Sequence, residues 1–250
     1  MQSLEGKTML ITGAAGPSSI GRATAISASS AGAKVAINDL PDRESLAREL
    51  ADELTSLGGH ALTLSGDVTD VATTRRLIDS AVEGLGGLDI LVNNAGGGHA
   101  IDFLDVTEED FDHQLNVNLK AAFFLSQAAA RHMLERGSGI IINLASDLSY
   151  VGHPTWVPYS AAKGGIRALT KSLALALAPR VAVIAVAPGP TDTPLIHDTY
   201  ETSAAFIDSL PLKRICTPED IARTVVWLAG DDGGAFTGQT LNPNCGAVMV

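Results

Sequence analysis

Short runs rich in Val, Ile, Leu and Ala alternate with stretches of helical periodicity along the whole 250-residue chain, and this alternation leaves few folds open. The runs Thr8–Ile11, Lys34–Asn38, Ala61–Ser65, Leu88–Val92, Gly139–Leu144, Val181–Ala187 and Gln239–Leu241 have the length and apolarity of buried strands. Between them the spacing predicts helices near 20–31, 43–57, 71–85, 108–135, 159–178 and 218–229. Strands joined through helices make right-handed crossovers, which build a parallel sheet covered by helices. Aromatic residues are only 4% of the chain against 46% hydrophobic in all, so the core rests on Ala, Val, Ile and Leu. Such residues suit strands buried on both faces. Thr107-x-x-Asp110 and Thr217-Pro218-Glu219-Asp220 read as capping boxes, and Gly137 and Gly230 stand where helix-terminating glycines belong. No Pro/Gly/Ser-rich linker interrupts the pattern. The fold class is α/β, a doubly wound parallel sheet of about seven strands, with residues 1–250 as one domain.

Charge and cysteine content narrow the functions. A formal net charge of -11 and a pI near 4.8 argue against nucleic acid or an anionic membrane as partner. An anionic cofactor would have to bind through helix ends and single side chains. The two cysteines, Cys216 and Cys245, show no CxxC and no metal-ligand spacing, so no disulfide framework and no metal site is expected. They read as inert thiols of a reducing compartment. The first strand begins almost at once, and the longest uncharged apolar run, Val181 to Ala187, is far too short for a bilayer. The expectation is a cytoplasmic protein.

The first strand runs into Thr12-Gly13-Ala14-Ala15-Gly16-Pro17-Ser18-Ser19-Ile20-Gly21 and then a helix. Glycine there lets backbone approach a pyrophosphate, and the helix N-terminus supplies free N–H groups and a positive dipole. Asp39 closes the second strand, where a carboxylate accepts both hydroxyls of an adenosine ribose and repels a 2′-phosphate. That reading gives NAD as the cofactor. The alternatives are a solvated turn acid before Pro41, and a 2′-phosphate held by Arg43, a side chain expected to face solvent.

Tyr159 and Lys163 are four residues apart on one helix face. A tyrosine titrates near 10 and is a poor base at neutral pH; a neighbouring ammonium stabilises its phenolate and lowers that value. So paired, it becomes a general acid/base for a hydroxyl proton. Read together with Thr12-Gly13…Gly21, Asp39, Asp67-Val68, Asn93-Asn94-Ala95-Gly96, Asn118, Ser146, Pro188-Gly189 and Thr193, the chain resembles the short-chain dehydrogenase/reductase family over essentially its whole length. The resemblance implies a Rossmann-like fold and a role for each matching residue. Ser146 would bond the substrate oxygen, Tyr159 exchange the proton, and Lys163 hold the nicotinamide ribose. Asn118 would hold a water linked to Lys163, although Asn116, two residues earlier, is also available. Gly13, Ser18, Ser19, Ile20 and Gly21 would hold the phosphates. Asp67 and Val68 would meet the adenine. Asn94, Ala95 and Gly96 would contact the cofactor, and Pro188, Gly189, Thr191 and Thr193 would line the nicotinamide. Against these stand simpler readings: Asp67 as a turn acid, Asn93 and Asn94 closing a turn, and Ser146 as a small residue at a strand end.

Three departures qualify the resemblance. The glycine loop is two residues longer than the usual TGxxxGxG, as in enoyl-acyl-carrier-protein reductases, whose Tyr and Lys are normally separated by six residues rather than three. Ala176, Ala182 and Ile184 replace a Glu in the helix and an Arg-x-Asn in the strand. Asn244-Cys245-Gly246 replaces a common aspartate–glycine–glycine ending. Substrate loops are expected near 97–104, 147–157 and 190–212. The lining named from them is Gly98, His99, Leu148, His153, Trp156 and Leu195, with Ile101, Phe103, Tyr150, Ile196 and Tyr200 nearby. His99 and His153 also read as solvent-facing loop histidines. Apolar residues around the helices at 108–135 and 159–178, Phe123, Phe124, Leu173, Leu175 and Leu177 among them, predict a homotetramer or homodimer. The function expected is hydride transfer between NAD(H) and a secondary alcohol or ketone. The alternatives are an NADP-dependent ketoreductase of the 3-oxoacyl type, and a non-catalytic nucleotide-sensing protein.

Overall fold

A computed structural model describes residues 3–197 and 200–250. Among them, seven strands form one parallel sheet in the order β3-β2-β1-β4-β5-β6-β7: β1 (Thr8–Thr12), β2 (Lys34–Asp39), β3 (His60–Ser65), β4 (Ile90–Asn93), β5 (Gly139–Leu144), β6 (Val181–Val186) and β7 (Thr240–Leu241). The crossovers are α1 (Ile20–Ser30), α2 (Glu44–Ser56), α3 (Val71–Leu85), α4 (Glu108–Leu115), α5 (Ala121–Arg136) and α7 (Val157–Leu177). A one-turn α6 (Leu148–Val151) precedes α7, while α8 (Ala204–Ser209) and α9 (Pro218–Ala229) lie between β6 and β7.

Alternation along the strands sorts the core into two layers. Met9, Ile11, Val35, Ile37, Ile90, Val92, Ile142 and Ile184 pack on the face of α1, α2 and α9, against Ala25, Leu50, Leu54, Ile221 and Val225. Leu10, Ala36, Leu91, Ile141 and Val183 pack on the other face against Leu77 and Ile78 of α3, Leu125 and Met133 of α5, and Ala174 of α7. Two-sided burial explains why the strands read as continuous apolar runs. A polar chain threads the second layer at the strand ends. Asn93 donates to Ser126 (2.9 Å) and to the Asn143 carbonyl (2.8 Å), and Asn143 donates to Thr170 (3.0 Å). It ties β4 and β5 to α5 and α7 at one register, Asn93 facing Asn143.

Both capping boxes form, on Thr107 with Asp110 and on Thr217 with Asp220. Gly137 ends α5 in the left-handed region at φ 88, whereas Gly230 follows α9 in extended backbone at φ -96. The continuous helix expected over 108–135 is broken by a π-helical turn, Asn116–Lys120. Among the described residues no helix is long and apolar enough to cross a membrane.

Cys216 and Cys245 come together although 29 residues separate them, with sulfurs 3.3 Å apart and both side chains buried as free thiols. Cys216 bridges Thr191 in the segment after β6, and Cys245 takes φ 53, a backbone position that favours glycine. Burial and the neighbouring Cys245 thiol push the Cys216 thiol up to about 12. A thiol held protonated is a poor nucleophile. An aromatic disulfide reagent should therefore find no fast-reacting thiol in the native protein at neutral pH and two after denaturation; rapid native labelling would contradict this packing.

Candidate active site

The sheet order reverses between β1 and β4, and the crevice that opens at their carboxyl ends is where ligands bind in such sheets. A cleft of about 810 Å³ lies there. The Thr12 hydroxyl staples its floor, accepting from the backbone N–H groups of Asn94 (3.2 Å) and Ala95 (3.0 Å). Asn94 Nδ2 donates back to the carbonyls of Thr12 (2.8 Å) and Gly13 (3.0 Å). Gly13 takes φ +63, and a Cβ there would lie 2.8 Å from Ala95 Cα, so the crossing of the two loops requires glycine. The two extra residues of the glycine loop have a visible role. Ser18 turns through φ 53, and the Ser19 hydroxyl then caps α1 by accepting from Arg22 N (3.1 Å). Ser19 and Ile20 line the cleft; Ser18 is exposed and lies off its wall. Gly21 also lies off the wall, packed so closely behind the loop that a Cβ would come within 2.6 Å of Asn94 Nδ2 and 2.7 Å of Gly13 O.

At the far end, Asp39 is 6% exposed and fixed by two backbone donors, Ala15 N to Oδ2 (2.8 Å) and Leu40 N to Oδ1 (2.9 Å). It still lines the cleft, as do Asp67 and Val68. Asp67 meanwhile closes its own turn, its Oδ1 accepting from Thr69 N and Oγ1 at 2.8 Å each. Arg43 is exposed, as expected, and also borders the cleft. The 3-10 turn Pro41–Arg43 brings this exposed side chain over the cleft, where it lines the wall beside Gly16.

Lys163 and Tyr159 sit on the first turns of α7, both buried. The ammonium of Lys163, 4% exposed, donates to the Leu144 carbonyl (2.7 Å) and lies 5.6 Å from the Tyr159 ring centre. Trp156 packs edge-on against that ring at 5.4 Å. Burial pulls Lys163 down to about 8 and pushes Tyr159 up to about 12. A hydrogen bond from Ser146 favours the phenolate, while the charges of Asp147 and Glu201 oppose it. The lowered tyrosine pKa expected from the Tyr/Lys spacing is therefore absent from the protein alone, where desolvation by burial is the largest influence on the phenol. Asn118, not Asn116, points inward, 2% exposed, from the π-helical turn. It lies behind the cleft wall, and its carboxamide is taken up by backbone: Oδ1 accepts from Gly97 N (3.1 Å), and Nδ2 donates to Gly97 O (2.7 Å) and Gln114 O (2.9 Å). The Asn118 side chain thus clamps the loop after β4.

Ser146 ends the segment after β5, its hydroxyl accepting from Leu148 N (3.2 Å) and donating to Asp147 Oδ1 at a long 3.3 Å. Around it, Gly96, Gly98, Leu148, Trp156, Pro188, Gly189, Thr191, Thr193 and Leu195 line the cleft together with Asn94 and Ala95. His99 and His153 do not. His99 is exposed and faces Asp110 (3.8 Å), and His153 is exposed and turned onto Thr155. Ile101 and Phe103 are likewise off the wall, and Tyr150 is covered by the Arg167 guanidinium at 3.3 Å. The Tyr200 side chain lies outside the described residues. Ile196 lines the cleft, and so do two carboxylates absent from the sequence reading, Asp147 and Glu201.

The family model described as Enoyl-(Acyl carrier protein) reductase matches residues 13–247. The chain is 37% identical over 240 residues to the (2S)-[(R)-hydroxy(phenyl)methyl]succinyl-CoA dehydrogenase subunit BbsD of Thauera aromatica, covering 95% of each. The chain is a short-chain dehydrogenase/reductase. Within the family it superposes on a 7α-hydroxysteroid dehydrogenase complexed with NADH and 7-oxo glycochenodeoxycholic acid. There the TM-score is 0.93 at 31% identity, over 99% of this chain and 96% of that one. It also matches a short chain dehydrogenase from Burkholderia cenocepacia in complex with NADP, with a TM-score of 0.89 at 34% identity and 98% of both chains covered.

Membership makes the protein an NAD(P)-dependent oxidoreductase, and the cleft fits such a cofactor. The capped N-terminus of α1 faces it, and a Cβ on Gly97 would meet nothing within 4 Å, so that stretch of wall is open. The family's usual aspartate–glycine–glycine ending is replaced in a specific way: Asn244 Oδ1 accepts from Gly246 N (2.9 Å), and its side chain packs on Gly189.

Asp147 is the costly group in this short-chain dehydrogenase/reductase. Burial, then the charge of Glu201, raise its carboxyl to about 6. An unfolded aspartate titrates near 4, so between about pH 4 and 6 the folded chain holds more protons than the unfolded one. Stability falls as pH rises through that window, and the full cost, up to about 3 kcal/mol, applies above it. Asp147→Asn should therefore be more stable than the parent in denaturant melts at about pH 7.5, with the gain gone by about pH 3.5. An unchanged midpoint at the higher pH would mean that Asp147 is neutralised by a partner.

Proposed function

We propose that this protein transfers a hydride between NAD(H) and a secondary alcohol or ketone, with Tyr159 as the general acid/base. The observation that carries the reading is one buried cluster, Ser146, Tyr159 and Lys163, opening onto a dinucleotide-sized cleft. Bound cofactor supplies the hydride donor or acceptor and, when oxidised, a positive ring. The chain's own groups do the rest. Ser146 holds the substrate oxygen, and Tyr159 takes its proton on oxidation or returns it on reduction. Lys163 is aimed by the Leu144 carbonyl and holds both the phenol and the ribose hydroxyls. Asn118 keeps Gly97 in place beneath the nicotinamide. Raised to about 12 by burial, Tyr159 stays protonated until a positive charge besides that of Lys163 is bound near it.

NAD is favoured by Asp39, whose immobilised carboxylate accepts ribose hydroxyls and opposes a 2′-phosphate. The second reading, an NADP-dependent ketoreductase, is favoured by Arg43 on the cleft wall. Ser19, Ile20 and the backbone of Gly13 would hold the phosphates, with Asp67 and Val68 at the adenine. Asn94, Ala95, Gly96, Pro188, Gly189, Thr191 and Thr193 would surround the nicotinamide half. The protein acts as a homotetramer or homodimer in this proposal, since Phe123 on α5 and Leu175 on α7 are 41% and 85% exposed and would be covered by a second copy.

Fluorescence titration should give at least about tenfold tighter binding of NADH than NADPH, a gap narrowed in Asp39→Ala; NADPH preference abolished in Arg43→Ala would establish the second reading instead. Tyr159→Phe should lower kcat by roughly 10²–10⁴ while NADH affinity is kept. An unchanged rate would remove Tyr159 from the chemistry.

A further inference from the structure

Beyond the groups that work on the reacting oxygen, the substrate end of the cleft is lined with acceptors and carries almost no positive charge. Asp147 directly follows Ser146, is 7% exposed, and lines the cleft. Glu201, half-buried in the turn Tyr200–Thr202, lines it from the loop after β6. Tyr159 lines the same cleft, where the charge of Glu201 raises the Asp147 carboxyl and both charges raise the phenol. Behind Gly98 the Gln114 carboxamide, 1% exposed, has an Oε1 with no hydrogen-bond partner. Among the described residues lining the cleft, the basic side chains are Arg43, at the opposite end, and Lys163, whose ammonium donates to the Leu144 carbonyl and is assigned above to the phenol and the cofactor ribose. His153 lies near Glu201 but off the wall.

A carboxylate out of water needs a partner. The backbone N–H groups of Leu148 and of Asp147 itself offset only part of that cost, since burial still raises the carboxyl, and the one side-chain donor on Asp147 is the Ser146 hydroxyl at 3.3 Å, a proton the substrate oxygen also needs. An anionic substrate would place a third negative charge in this desolvated space, whereas a hydroxyl or ammonium makes a charge-assisted bond.

We propose that Asp147 and Glu201 set substrate specificity: the substrate carries a hydrogen-bond donor, a hydroxyl or an ammonium, next to the reacting carbon, and no anionic group. The inference rests on the reading that Tyr159 works on an alcohol or carbonyl. Polyhydroxylated alcohols and amino alcohols meet the requirement; hydroxy acids do not. A site built to bond a substrate hydroxyl discriminates strongly against the analogue lacking it.

The test is steady-state oxidation by the cofactor-loaded enzyme of four compounds of one skeleton: butane-2,3-diol, 3-aminobutan-2-ol, butan-2-ol and 3-hydroxybutyrate. The diol or the amino alcohol should exceed butan-2-ol in kcat/KM by at least about tenfold, with 3-hydroxybutyrate below it; which donor leads identifies the hydroxyl or the ammonium. Asp147→Asn and Glu201→Gln should each shrink that lead, and the double variant should admit 3-hydroxybutyrate, with NADH affinity unchanged throughout. A lead for 3-hydroxybutyrate overturns the proposal. So do variants with the parent's selectivity, or no turnover of any of the four while NADH binds. Failure of the underlying reading looks different: no nicotinamide cofactor binds, or Tyr159→Phe leaves the rates intact.

Discussion

The ammonium of Lys163 is buried against the Leu144 carbonyl, beside a phenol buried as deeply, and the site is organised around that desolvated pair. Burial drives the two in opposite directions, the lysine down to about 8 and the tyrosine up to about 12, because each is pushed towards its neutral form. The protein by itself therefore holds an acid that does not give up its proton at neutral pH. In the mechanism proposed above, a further positive charge arrives with the oxidised cofactor, which couples proton transfer to cofactor binding.

The fold supplies what that pair needs. β5 delivers the Leu144 carbonyl and Ser146, α7 delivers Tyr159 and Lys163, and the Asn93–Asn143–Thr170 chain fixes the strand ends against that helix. Asn118 holds the facing loop by its backbone. Two carboxylates, Asp147 and Glu201, then work against ionisation of the phenol. A site selected for stability alone would omit them.

Strands and helices were legible because burial on both sheet faces leaves continuous apolar runs, and because Tyr159 and Lys163 carry their geometry in their spacing. What escaped was set by loops and by local helix geometry. Asn118, the residue named from the sequence, does turn inward, but from a π-helical turn that periodicity does not announce. Arg43 is solvent-exposed as expected, but the 3-10 turn Pro41–Arg43 also sets it on the cleft wall. His99 and His153 leave it for local partners, and Ser18 is consumed in a left-handed turn. Cys216 and Cys245 meet only because β7 returns beside β6. Asp147 and Glu201 are ordinary loop acids until the fold places them on one wall.

The most direct test of the account is the ionisation of Tyr159 itself, read as the phenolate absorbance of the parent minus that of Tyr159→Phe, between about pH 7 and 10, with and without oxidised cofactor. The account predicts no phenolate over that range in the free protein and its appearance once the positively charged ring is bound. A phenolate already present without cofactor, or none in either state, would contradict it.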